Sequence, residues 1–161
     1  SYERAMPKRI LVPVSPFVPW ARALATAIVD LEEPDTTELI LLHVFTEEEK
    51  QAALADTDLG DNSDITRLTN SQSNIAGAQD ILTEAGFTIT TRGTVSDNLG
   101  EAILDATEAV DVDCLYLFSR RRSSAGKAVF GSTIQHILLN ATVPVVTIPP
   151  TAVSFTSANN P

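Results

Sequence analysis

The densest group of chemistry-bearing side chains in this sequence is the run Ser119-Arg-Arg-Arg-Ser-Ser-Ala-Gly-Lys127, which places four cations and three hydroxyls just ahead of Gly131-Ser132-Thr133. If a helix starts at Gly131, its free N-terminal amides and these cations both favour an anion, and phosphate is the natural one. On an acidic chain the same run also reads as a solvated loop that neutralises neighbouring carboxylates. Gly126-Lys127 is not a P-loop, because the Gly-x4-Gly-Lys-Ser spacing is absent. His43 stands in an apolar run and suits a hydrogen-bonded core histidine better than a catalytic base. His136 is expected on the exposed face of a late helix, with no acid or nucleophile beside it. Ser123 and Ser124 follow Arg120 to Arg122 and could accept a phosphate. Cys114 reads as a small, inert core residue. No Ser-His-Asp order, metal-ligand spacing or paired-carboxylate arrangement emerges.

Five apolar runs of strand length could position these groups: Ile10 to Val14, Leu39 to Phe45, Phe87 to Thr91, Cys114 to Phe118 and Val143 to Ile148. Four are apolar on both parities, as strands buried on both faces are, whereas the Phe87 run alternates and suits a sheet edge. The stretches between them carry helical period. Trp20, Leu24, Ile28 and Leu31 form one stripe that Pro34 stops. Ile65, Leu68, Ile75, Leu82 and Ala85 outline a second helix with Gly86 at its C-terminal end. Asn98 caps a third through Glu101, with Ile103, Ala106 and Val110 inward. Gly131 to Asn140 gives a fourth, with Ile134, Ile137 and Leu138 facing in. Thr46 to Asn62 is acidic and polar and reads as a solvated loop with one helical turn at most.

Strands alternating with helices imply right-handed crossovers and a three-layer, Rossmann-like α/β sandwich with a five-stranded parallel sheet and helices on both faces. In such sheets ligands bind at the carboxyl ends of the strands. Those ends are Ser15 to Val18, His43 to Thr46, Arg92 to Val95 and Ser119 to Lys127.

A chain of 161 residues suits one domain, placed here at residues 1–150, with 151–161 as a C-terminal tail. The formal net charge of −10 repels a phosphate backbone, which argues against a nucleic-acid partner. The single cysteine excludes an internal disulfide framework and favours a reducing, cytoplasmic setting. Residues Ile10 to Val29 imitate a signal or membrane segment, but Pro13, Pro16 and Pro19 block one continuous helix and Arg22 would lie in the apolar layer. No targeting segment or membrane insertion is therefore expected. Only Lys8, Lys50 and Lys127 are lysines among many Asp, Glu and Thr residues, a balance found in proteins of salt-accumulating halophiles.

Ile10-Leu-Val-Pro-Val14, Leu41-Leu-His-Val44, Gly100-Glu-Ala-Ile103 and the block from Asp113 to Pro149, with Gly131-Ser132 and Val143-Pro-Val-Val-Thr-Ile148, resemble the universal stress protein family in order and spacing. The resemblance implies a dimer joined through the last strand, Val143 to Ile148, and a nucleotide pocket. Its residues here would be Pro13 and Ser15 after the first strand, Val44 after the second, Arg120 and Arg121 after the fourth, and Gly131, Ser132 and Thr133 at the last helix. Many members bind ATP through a Gly-x2-Gly-x9-Gly-Ser/Thr loop, which fits badly here. With Gly131 and Ser132 aligned, the earlier glycines fall on Phe118 and Arg121, and the family's adenine- and ribose-reading aspartate falls on Ser15. Glycine lets the backbone approach phosphate closely, and a Phe or Arg side chain fills that space.

The resemblance therefore implies a stress-response regulatory or interaction protein, with no cofactor and a pocket degenerate for ATP. A sensor of ATP or another adenine nucleotide that uses Arg120, Arg121, Arg122 and Lys127 in place of glycine amides is the alternative. A cytoplasmic regulatory partner of a membrane transporter is another, and a slow ATPase ranks below both because neither base nor metal ligand is visible.

Overall fold

The computed structural model describes residues 6–56, 65–119 and 130–149. Five parallel strands form one sheet in the order β3-β2-β1-β4-β5: β1 Lys8–Pro13, β2 Thr37–Phe45, β3 Thr88–Val95, β4 Cys114–Phe118 and β5 Val145–Ile148. The three-layer α/β reading holds, and the alternating Phe87 run, as β3, lies at a sheet edge. β5 forms the other edge.

Parity within each strand divides the core. Ile10, Val12, Leu39, Leu41, Cys114 and Tyr116 pack against helices α1 (Val18–Leu31) and α4 (Ser73–Glu84). Leu11, Ile40, Leu42, Leu115 and Leu117 pack on the opposite face against α5 (Leu99–Ala109) and α6 (Ser132–Asn140). Strands covered on both faces have no polar parity, which is why β1, β2 and β4 read as continuous apolar runs. Gly86 follows α4 with φ of 95°, a left-handed conformation that favours glycine, and its amide and that of Phe87 close the helix end on Thr83 and Leu82.

The structure departs from the sequence reading in several places. The acidic stretch after β2 contains a nine-residue helix, α2 (Glu47–Ala55), and not a loop with one turn. Thr46 caps it by accepting from the Glu49 amide at 3.0 Å, and Glu47, Glu48 and Glu49 lie in the first turn, where carboxylates oppose the helix dipole. It buries no residue, so hydropathy alone hid it. The second predicted helix is two helices, α3 (Ile65–Asn70) and α4. Ser71 and Gln72 divide them, because both side chains donate to the Leu68 carbonyl, at 2.7 and 3.2 Å, and so end α3. Leu31 and Leu138, expected inside, are 58% and 40% exposed. The strand bounds also shift: β3 runs on to Val95, and β5 starts at Val145 because Pro144 precedes it. The anticipated tail, 151–161, lies outside the described residues.

Candidate functional site

The residues just past β1, β3 and β4 are fixed by hydrogen bonds from their backbone amides. The Val14 amide donates to Leu42 O at 2.8 Å, and the Phe17 amide turns back onto Ser15 Oγ at 3.2 Å before α1 begins. The Ser96 amide continues the β2–β3 ladder onto Phe45 O at 2.8 Å, and the Ser119 amide continues the β4–β5 ladder onto Ile148 O at 2.9 Å. These ends, together with the start of α6, enclose a cavity of about 270 Å³. Pro13, Ser15, Val44, Gly131, Ser132 and Thr133, the site residues that can be placed, all line it. Arg120 and Arg121 lie outside the described residues, as do Arg122, Ser123, Ser124 and Lys127.

The electrostatics of the cavity are uneven. On the β4–β5 side, α6 follows Gly131, which offers no side-chain cap, and its first turn holds no carboxylate, so among the described residues no cap or first-turn acid offsets the partial positive charge of its first amides. Beside it Ser119 is 1% exposed, and its hydroxyl has no hydrogen-bond partner among the described residues. A buried, unmatched hydroxyl costs about 1–3 kcal/mol and marks a place where a ligand or water atom would be welcome. On the β2–β3 side the lining includes two carboxylates, Glu49 and Asp97. Asp97 Oδ1 accepts from the Glu47 amide at 3.2 Å and so ties the start of α2 to the loop after β3.

His43 lines the cavity as well, at 4% exposure, with its ring edge-on to Phe45. Burial lowers its pKa below the ordinary histidine value, with the charge of Glu49 acting in the opposite sense. Its Nδ1 faces Asn74 Nδ2 at 3.0 Å. This is the hydrogen-bonded core histidine of the sequence reading. His136 is a correction: its exposed ring is not isolated, because Nε2 meets Glu101 Oε1 at 2.7 Å across α5 and α6. Asn98 caps α5 on the Glu101 amide at 3.1 Å as expected. No nucleophile is hydrogen-bonded to that pair among the described residues. Cys114 is buried in β4, which raises its thiol pKa and keeps it unreactive.

Phe118 stands at the end of β4, half-buried against the α1-side core, with its ring 6.3 Å from that of Trp20. Sequence reasoning counted Ser119 as one hydroxyl of the run up to Lys127 without distinguishing it, and did not single out Glu49 or Asp97. Both follow the carboxyl ends of β2 and β3 closely, but Glu49 fell in the stretch read as solvated loop and Asp97 two residues past the strand end given as Arg92 to Val95. Among the described residues no group of three or more His, Cys, Asp or Glu could hold a metal ion, and no helix is long and apolar enough to cross a membrane.

A model of the universal stress protein family matches residues 6–149. A universal stress protein structure from Archaeoglobus fulgidus is similar at 20% identity and a TM-score of 0.62, covering 90% of this chain and 99% of that one. Another from the same organism, in complex with dAMP, matches at 16% identity and a TM-score of 0.58, covering 89% and 98%. A universal stress protein in complex with cAMP matches at 15% identity and 0.59, covering 90% and 98%. A comparison with curated proteins found no match.

Proposed function

This chain belongs to the universal stress protein family, and from that premise we propose that it is a cytoplasmic, non-catalytic regulatory protein that works as a homodimer and does not hold ATP in the family's glycine-loop pose. The observation that carries this reading is Phe118. It lines the cavity at the position that aligns with the family's first loop glycine, and Ser15, which aligns with the family's aspartate, offers only a hydroxyl, already accepting from the Phe17 amide. β5 supports the dimer: Val145, Val146 and Thr147 are half-exposed on a strand that, among the described residues, lies at the sheet edge and pairs only with β4, and an uncovered apolar edge invites pairing. A stress-response partner, such as a membrane transporter, would then read the dimer's state. Calorimetry with ATP tests the pocket, and micromolar affinity overturns the reading. Light scattering that returns a stable monomer removes the dimer, and co-purification tests the partner.

A second reading is favoured by Ser119. A buried hydroxyl with no partner among the described residues, beside an uncapped helix start, suits one phosphate, and the complexes of two similar proteins with cAMP and dAMP contain one phosphate each. On this reading the cavity takes an adenine mononucleotide and the protein is a sensor, with Arg120, Arg121, Arg122 and Lys127 supplying the cations. Calorimetry with AMP and cyclic dinucleotides in parallel with ATP separates the two.

A further inference from the structure

We infer that the seam between α5 and α6 is a pH-sensitive latch on the cavity wall: His136 of α6 closes on Glu101 of α5, more tightly when protonated, and acid thereby firms the helix that presents Ser132 and Thr133 to the cavity. The latch does not depend on which ligand the cavity takes. Leu99 and Ile103 of α5 and Ser132, Thr133 and Ile137 of α6 line the cavity, so the seam between the two helices belongs to its wall. Helix α6 is lightly anchored there. It buries one residue, Ile137, whereas α1 buries six. A helix with so little burial opens locally at low cost, and a single contact across the seam can change how often it does.

That contact is built on Gly100. A Cβ at this position would stand 3.0 Å from His136 Cδ2, so the missing side chain leaves room for the imidazole against the first turn of α5. His136 Nε2 then meets Glu101 Oε1 at 2.7 Å, with the two side chains 42% and 51% exposed, so the pH of the solvent reaches both. An ionised carboxylate only accepts, which puts a proton on Nε2. On the other side Asn140 Nδ2 donates to the His136 carbonyl at 2.8 Å and lies 3.3 Å from Nδ1, the ring nitrogen left to take up a second proton. Protonation there forfeits the long Asn140 contact and adds an ion pair to the short Glu101 bond, and the short bond outweighs the long one. Imidazole is the side chain that makes this change between about pH 5 and 8. No other charge among the described residues competes. The strand residues beneath α6, such as Leu115, Leu117 and Val145, are apolar, and α6 itself carries no acid. Asp97, ahead of α5, accepts from the Glu47 amide, and Asp105, one turn past Glu101, is a second exposed carboxylate of the same sign.

Native-state hydrogen exchange of the purified protein between about pH 8 and 5.5 tests this, with protection corrected for the intrinsic pH dependence of exchange. The amides to follow are those of Gln135, bonded to Gly131 O at 3.0 Å, and Ala141, bonded to Ile137 O at 2.8 Å. An exposed ion pair changes an equilibrium constant by roughly one-and-a-half- to fivefold, so protection of both amides should rise by that factor on acidification, measured relative to His136→Gln. That variant keeps a neutral donor toward Glu101 and, like the parent, contains His43, whose own titration therefore cancels in the comparison. Glu101→Gln keeps a neutral acceptor and should follow His136→Gln. Protection that changes equally with pH in the parent and in His136→Gln overturns the inference. A rise that survives in Glu101→Gln also overturns it, because the partner of the charged ring would then not be Glu101.

Discussion

Asn74 Nδ2 lies 3.0 Å from His43 Nδ1 and 3.4 Å from the Val14 carbonyl, so one amide group on α4 joins β1 and β2 directly beneath the cavity. The carbonyl can only accept, which makes the Asn74 nitrogen the donor. His43 Nδ1 must then accept, and the ring is neutral with its proton on Nε2. Protonating His43 would remove that acceptor and place a charge in the core.

Stability should consequently depend on pH through His43. Its folded pKa is lowered by burial from the ordinary 6.5, so below that value the unfolded chain binds a proton that the folded chain refuses. Stability is complete above about pH 6.5 and falls as the pH drops toward the lowered value. Thermal melts between about pH 7.5 and 5 should show a declining midpoint, and His43→Gln, whose side-chain oxygen can still accept from Asn74, should flatten the slope. An equal slope in both proteins would assign the effect to other groups.

Gly93 in β3 is required by its neighbour on α3. A Cβ built there would stand 2.0 Å from Thr69 Oγ1 and 3.2 Å from the Ile65 carbonyl. Thr69 is fully buried and donates to that same carbonyl at 2.8 Å, so it has no free rotation to yield. Gly93→Ala should cost about 1–3 kcal/mol, the usual range for overpacking, measured by denaturant midpoint. Adding Thr69→Ala removes the clashing oxygen and should recover part of the loss, a coupling that independent sites would not show.

How far the sequence disclosed this molecule follows from which residues carry period. Strands buried on both faces are continuous apolar runs, so β1, β2 and β4 were legible, and Asn98 announced α5 through its spacing to Glu101. Helix α2 was not, because it buries nothing and is held by Thr46 and Asp97, a cap and a contact that reaches across fifty residues. The site was half legible for the same reason. Pro13, Ser15, Val44 and Gly131 to Thr133 were placed by strand ends and family resemblance, whereas Glu49 joins the cavity through the unforeseen α2 and Asp97 through the loop after β3. That Ser119 Oγ has no partner among the described residues is a fact of three-dimensional packing that spacing does not encode.

At the opposite end of the sheet, the buried Tyr116 hydroxyl donates to Glu32, which also pairs with Lys8 at 2.9 Å. Burial and then the Glu32 carboxylate raise the Tyr116 pKa above its ordinary 10. Between pH 10 and the raised value the unfolded chain releases a proton that the folded chain keeps, so stability declines as pH rises past about 10. Tyr116→Phe should lose about 0.5–2 kcal/mol at pH 7 through the missing hydrogen bond and should show a shallower alkaline decline in urea midpoints. An unchanged alkaline slope would remove Tyr116 as its source.

Molar salt should stabilise this protein. Among the described residues only Glu32, Glu38 and Glu101 have ion-pair partners, while the chain carries 21 acidic residues against 11 basic ones. Raising ionic strength from 0.1 to 1 M shortens the Debye length from roughly 10 to 3 Å and so relieves the remaining repulsion. The thermal midpoint should rise with KCl across that range. A midpoint unchanged between low and molar salt would leave the acidic surface without a halophilic explanation.

If ATP is excluded as proposed, the exclusion should be reversible at three positions. Phe118 is the structural one: its ring reaches back to Trp20, whose own ring lies 4.8 Å from Phe17 in an edge-on contact, so an aromatic group occupies ground next to the end of β4 where phosphate-binding backbone would need to be open. Ser15 is the electrostatic one, since a hydroxyl gives up the charged acceptor that an aspartate offers, a loss of about 1.5–3 kcal/mol or ten- to a hundredfold in affinity. Arg121 lies outside the described residues and enters through its alignment with the second loop glycine. The triple change Ser15→Asp, Phe118→Gly, Arg121→Gly should give measurable ATP binding by calorimetry where the parent shows little. Phe118→Gly also leaves a cavity against the α1-side core, at a cost of about 3–5 kcal/mol by analogy with Phe→Ala, so the melt of the variant must be recorded before its binding is judged. A folded triple variant that still ignores ATP would overturn the diagnosis at these three positions.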